Sequence, residues 1–276
     1  MAKQLGLHKV QGKVGEYSYY ESKNGGSVIR GINKGMSSRV KTAQEYANTR
    51  KNNSEFGMCG DFAGAIIKPI SLRWRFILDS IATGKMVKTI KEFVKLDVSG
   101  KWGERVLKEA YFDQVREAFT SFSKNEIPAE VITQVNSDFH YDSAANQVFT
   151  TNGVFLNADT VNSLIEAGAN KIKSVLYTYE VTKPKYDNAA GVYTKAVSKL
   201  TQLSDFESEI ALVADEQKMI IADDMTSSAN LDLASTDTIT GLVIILLPCR
   251  MIGGVTNILQ QLCSACWLPI TAGTQE

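Results

Sequence analysis

From about residue 42 the apolar positions of this chain recur at helical spacing, and beyond Pro128 they fall into short runs or alternate. Ala43, Tyr46, Ala47, Phe56, Phe62, Ala65 and Ile66 predict one helix or two, ending before Pro69, because an interior proline removes an N–H from the helical ladder. A second helical stretch is predicted over 71–95. Trp74, Ile77, Leu78, Ile81, Met86, Val87, Ile90, Phe93 and Val94 form its apolar stripe, with a break at Gly84. A third is predicted over 102–122, with Val106, Leu107, Ala110, Tyr111, Val115, Ala118, Phe119 and Phe122 on one side.

The two ends read differently. Before residue 42, Gly12 to Gly15, then Tyr17, Tyr19 and Tyr20, then Asn24-Gly25-Gly26 and Val28-Ile29-Arg30 predict two short strands around a glycine turn, with Val14 facing Tyr17 and Tyr19. A two-stranded ribbon is barely stable alone, so it needs a larger body or a neighbouring subunit. Beyond Pro128, strands are predicted over 131–135, 147–150, 153–156, 174–181, 191–197, 210–213, 219–221, 238–247 and 267–271. Residues 159–169 are the exception, a short helix capped by Asp159 or Thr160. The predicted class is α+β: an amino-terminal β-ribbon and helical domain over 1–127, followed by an immunoglobulin-like β-sandwich over 128–276. No repeat of the length that marks solenoids is visible.

Charge changes this picture more than composition does. The chain of 276 residues holds 30 Lys+Arg and 30 Asp+Glu. Residues 1–125 carry 22 and 12, and residues 126–276 carry 8 and 18, so a neutral sum hides a net of +10 joined to a net of −10. Opposite charge on two domains favours head-to-tail contact between copies, although the same two domains could pack on each other within one chain. Arg73, Arg75, Lys85, Lys88, Lys91 and Lys95 give the second helical stretch a basic face suited to non-specific contact with DNA phosphates. Asp79 and Glu92 interrupt that face, and no sequence-reading DNA motif accompanies it.

The candidate chemistry is sparse. The longest apolar run, 241–248, has the length of a buried strand, so no membrane insertion is expected. The amino terminus lacks the apolar stretch of a secretory signal, so Cys59, Cys249, Cys263 and Cys266 are expected as thiols. Cys263 and Cys266 form a CxxC that could be half a metal site or a redox pair, but no second paired spacing completes it. There is no GxSxG, GxxxxGK[ST], HExxH or GxGxxG. Of the two histidines, His8 lies near the amino terminus, while His140 sits between Asp138 and Asp142, which on a strand would share its face and could hold a metal for hydrolysis. Asp223-Asp224 and the acidic run 205–209 read as solvated patches. Trp267, Tyr186 and Tyr193, if exposed, could serve a carbohydrate or protein site on the sandwich loops. None of these is assigned: the chain is expected to be non-enzymatic, with no catalytic, cofactor-binding or metal-binding residue.

The run Gly12-Lys13-Val14-Gly15, Tyr19-Tyr20, Asn24-Gly25 and Val28-Ile29-Arg30, followed by Thr42-Ala43-Gln44, Arg50, Phe56 and the small residues from Ala63 to Ile66, resembles the opening of an uncharacterised domain family of Bacteroidetes and their tailed phages. The likeness covers residues 5–70 and departs from the family pattern at Glu16 and over 31–38. It implies a setting: a structural protein of a tailed, crAss-like phage particle, made in the bacterial host cytoplasm. Such a protein is expected in several copies at a neck, connector ring or tail, touching copies of itself, other virion proteins and, non-specifically, phage DNA.

Overall fold

The structure, a computed structural model, describes residues 2–3, 11–21, 26–32, 35–120, 139–151, 153–221, 225–268 and 270–273. It has two compact units, Met1–Asn53 and Ser54–Glu276. The boundary expected between 127 and 128 lies outside the described residues, as do the strand expected over 131–135, the Asn24-Gly25 turn and His8.

The first unit contains β1 (Ala2–Lys3), β2 (Gly12–Val14), β3 (Tyr17–Glu21) and β4 (Ser27–Gly31), antiparallel in the order β1-β4-β3-β2. The expected ribbon is thus part of a four-stranded sheet, and Val14 does face Tyr17, while Tyr19 faces Gly12. Gly15, at φ +59, supplies the left-handed residue of the tight β2–β3 turn. Helix α1 (Met36–Thr42) follows, and Arg50 donates to the carbonyls of Val40 and Ala43 to close the turn after it.

In the second unit, helices α2 (Ala47–Arg73, counted here from Ser54), α3 (Ala82–Val94) and α4 (Phe112–Thr120) lie over a long antiparallel sheet. That sheet comprises β8 (Lys171–Thr182), β11 (Val197–Ala211), β14 (Thr238–Ile252), β15 (Val255–Ile258) and β16 (Ser264–Leu268), with order β11-β8-β14 and both β15 and β16 on the far side of β14. Its other face meets β5 (Phe139–Asp142), β6 (Gln147–Thr150), β7 (Val154–Leu156), α5 (Ala158–Glu166) and β12 (Lys218–Ile221). The smaller strands β9 (Tyr186–Asp187), β10 (Val192–Tyr193), β13 (Thr226–Ser228) and β17 (Thr271–Ala272) complete the set, and β17 on β5 is the one parallel pairing among the described residues. The class is α+β with mostly antiparallel sheets.

Strand β14 contains the apolar run 241–248, and every residue from Ile239 to Cys249 is buried. Ile239, Val243, Ile245 and Leu247 join Val175, Tyr177, Tyr179 and Val181 of β8 beneath the helices, while Leu242, Ile244 and Leu246 enter the core on the opposite side. A side chain of this kind contributes about 1.5–3 kcal/mol on full burial, so a strand feeding two cores is the main hydrophobic element of the fold.

The helical expectations need three corrections. Helix α2 does not end before Pro69 but continues through it to Arg73. The second stretch is broken over residues 74–81, and Gly84 lies inside α3. Residues 102–108 are irregular, so Trp102, Val106 and Leu107 precede rather than belong to α4. In the strand region, 147–150 is strand as expected, and the short helix α5 is capped by Asn157, whose side chain accepts from the Thr160 N–H, rather than by Asp159 or Thr160.

Candidate functional site

Side chains with catalytic or ligand chemistry are dispersed by the fold. His140 and Asp142 do share a face of β5, since Phe139 and Tyr141 are the buried pair. The Asp142 carboxylate accepts the N–H groups of Ala144 and Ala145 and so closes the β5–β6 turn. The His140 ring lies 5.3 Å from the Phe149 ring and against Gly273, where an added Cβ would come within 3.2 Å of its Nδ1. Asp138 and Asp223-Asp224 are outside the described residues. Among the described residues, no three His, Cys, Asp or Glu side chains converge on a metal position.

Cys263 and Cys266 belong to different cores, the first under the helices and the second on the opposite side of the sheet. The extended backbone from Cys263 into β16 turns them to opposite sides. Burial pushes the Cys59 and Cys263 thiols up to about 12, so neither is a nucleophile at neutral pH. Within the acidic run, Glu209 pairs with Lys171 at 3.0 Å and Glu207 with Lys173, both across to β8.

Of the proposed binding aromatics, Trp267 is not exposed. It is 4% accessible, because β16 turns it under the helices against Phe119 and Tyr179, at ring distances of 5.3 and 4.9 Å. Gly241 makes the room: a Cβ there would sit 2.0 Å from the indole nitrogen. Tyr193 is half-buried and donates its hydroxyl to the carbonyls of Gly103 and Arg105, with Tyr186 packed edge-on against it.

Those contacts lead to a feature that the hydrophobic pattern did not announce, the loop from Lys95 to Lys108. Buried Asp97 accepts from the N–H groups of Ser99, Gly100 and Val106 and from the Ser99 hydroxyl, and pairs with Lys108 at 3.2 Å. Burial alone would raise its pKa, but the hydrogen bonds from Ser99 and Val106 and the Lys108 ammonium outweigh that and hold it far below the carboxylate range. Glu55, on α2, is likewise buried and held down despite its burial, by Arg105 at 2.7 and 2.8 Å and by the Gly103 N–H. Gly100 is required, since a Cβ would lie 2.9 Å from the Asp97 carboxylate. The signal was present in Asp-x-Ser-Gly at 97–100, an acceptor followed by turn residues.

Beside this loop lies a cleft of about 610 Å³, bounded by Ser99, Lys101, Glu104, Lys185, Tyr186 and Asn188. Its chemistry is that of ion pairs: Lys183 and Lys185 both pair with Asp237, and Lys108 with Asp97. The basic stretch offers less than its sequence suggested. Lys85 pairs with Asp79, and Lys91 stands over the Phe56 ring at 5.2 Å; Arg75, Lys88 and Lys95 are exposed.

The charge asymmetry does not break where the compact units do, since residues 54–125, at +3, share the second unit with the acidic residues 126–276. Residues 1–53 hold ten Lys+Arg and three Asp+Glu, while residues 54–276 hold 20 and 27, so the units carry +7 and −7. The first unit is also the one without an apolar interior: among its described residues only Ser27 is buried, and Val14 and Tyr17 are 54% and 53% accessible. No helix among the described residues is long and apolar enough to cross a membrane. No protein-family model matches the chain, and no curated protein sequence matches it.

Proposed function

We propose that the chain is a non-enzymatic structural protein of a tailed-phage particle, present in several copies at the neck, connector ring or tail. The observation that carries this reading is the division of charge between the compact units, +7 on Met1–Asn53 and −7 on Ser54–Glu276. Like units repel and unlike units attract, which favours heterologous contacts between copies; such contacts close into rings or extend as filaments. Other virion proteins are the remaining partners, and the exposed Arg75, Lys88 and Lys95 supply the non-specific attraction for DNA. The strands beyond 139 are read as a sandwich of two β layers, immunoglobulin-like in the finer assignment, supported by the core that the long sheet shares with β5, β6 and β7.

Light scattering across a salt series tests this. The expected result is a multimer at about 0.05 M salt that dissociates toward about 1 M, where the Debye length falls to about 3 Å. A monomer at every salt concentration would overturn the assembly reading. A second reading, a binding module for carbohydrate or protein, rests on Tyr186 and Asn188 at the rim of the 610 Å³ cleft. Glycan-array binding by a strictly monomeric protein would establish it in place of the first.

A further inference from the structure

The pairing register of the amino-terminal sheet sorts its side chains into two unlike faces. Val14 lies opposite Tyr17, and Tyr19 opposite Ile29, so these four share one face with Gly12 and Gly31. Lys13, Ser18 and Arg30 form a row across three strands on the other, together with Tyr20 and Val28. The first face is apolar and aromatic with one charge at its edge, Glu21, whereas the second is basic.

An apolar sheet face normally covers a core, yet no apolar side chain among the described residues of this unit is buried. Resting on the multi-copy reading above, we infer that the Val14-Tyr17-Tyr19-Ile29 face is the docking surface for a second copy of this chain, and that it seats on the acidic Ser54–Glu276 unit of that copy. Charge selects the occupant. A unit carrying +7 repels its own kind and is drawn to one carrying −7. The face itself is aromatic and free of lysine and arginine, the composition of a protein interface core, while the cations on the opposite face add to the long-range attraction. A nucleic-acid partner would instead be expected on the Lys13–Arg30 face, where the cations stand.

Size sets the character of the contact. Three strands about 4.8 Å apart and five residues of about 3.4 Å each span roughly 250 Å², well short of the roughly 800 Å² per partner of a stable interface. One such contact is therefore weak and salt-dependent. It becomes durable when every copy both gives and receives one, as in a closed ring.

The test is the full chain carrying Val14→Lys and Tyr17→Lys. Both positions are exposed, but they face each other across β2 and β3, where two lysines repel, so circular dichroism matching the wild type must accompany the test; the added charge would strengthen association if net charge alone drove it. We expect weakening by about tenfold or more, the effect of about 1.4 kcal/mol, by light scattering and sedimentation. The variant should also cap wild-type oligomers when mixed, because its acidic unit still receives. Ser18→Lys, on the opposite face of the same strand, should leave assembly intact and controls for damage to the sheet. If the wild type assembles and the double variant assembles equally well, this surface assignment is wrong while the structural reading stands; a wild type that never assembles removes both.

Discussion

The hydroxyl of Tyr179 donates to the carbonyl of Ala65 at 2.8 Å, the carbonyl that Pro69 deprives of its helical partner. It reaches the neighbouring Ile66 carbonyl as well. A strand residue thus supplies from 114 positions away the hydrogen bond that the helix cannot make for itself. Burial holds the phenol well above its ordinary pKa, so it remains a donor throughout the accessible pH range.

Tyr179→Phe should therefore cost about 1–3 kcal/mol, the penalty for stranding a buried acceptor. Pro69→Ala restores an N–H to Ala65, so the tyrosine substitution should cost less in that background. Urea unfolding of the four proteins in a double-mutant cycle measures the coupling, expected at about 0.5–1.5 kcal/mol; additive effects would mean that the two residues are independent.

Asp97 and Glu55 link stability to acid. Both have pKa values depressed below their ordinary 3.8 and 4.5, so their contribution is complete above about pH 5 and is lost as pH falls through the depressed values. Thermal unfolding from pH 7 down to about pH 2 should show Tm dropping below about pH 4, and Asp97→Asn should lower Tm at pH 7 while flattening that acid limb. An unchanged acid limb in the variant would place the linkage elsewhere.

Gly241→Ala should be among the most damaging single-methyl changes, because the new Cβ would lie 2.0 Å from the Trp267 indole nitrogen and 3.1 Å from the Leu268 carbonyl. A loss of about 3 kcal/mol is expected, as for overpacking in a rigid core. Trp267→Leu should recover part of it in the double variant. Chemical denaturation reads both.

The four buried cysteines should not react with a thiol reagent at pH 8 in the folded protein. Cys59 and Cys263, at about 12, are protonated there, and all four should react once the chain is unfolded. A fast-reacting pair in the native state would reopen the redox reading of Cys263 and Cys266.

Strand positions were legible wherever one residue's neighbours decide its state. The short apolar run at 147–150 and the longer one from residue 238 were visible because pleating and burial act locally. What stayed hidden depends on distant partners. Pro69 reads as a helix stop unless Tyr179 is known to stand over Ala65, and Trp267 reads as a loop aromatic until Gly241 makes space for it. Trp102 to Leu107 has helical spacing, but the Asp97 and Glu55 carboxylates bind its backbone and Arg105 and hold it in an irregular path. The candidate surface was half legible: the charge split was in the counts, whereas the unit boundary at residue 53 and the two-faced sheet required the structure.

Strand β14 has a bearing on how the protein is born. The α4 residue Arg116 donates to the Thr240 carbonyl, 124 residues later in the chain, and the helices' apolar stripes rest on that same strand. At roughly 5–20 residues per second of synthesis, the helical layer waits roughly 6–25 s for this part of its floor. Holding chaperones have that interval in which to bind it, so the demand on them rises with the rate at which the chain is made.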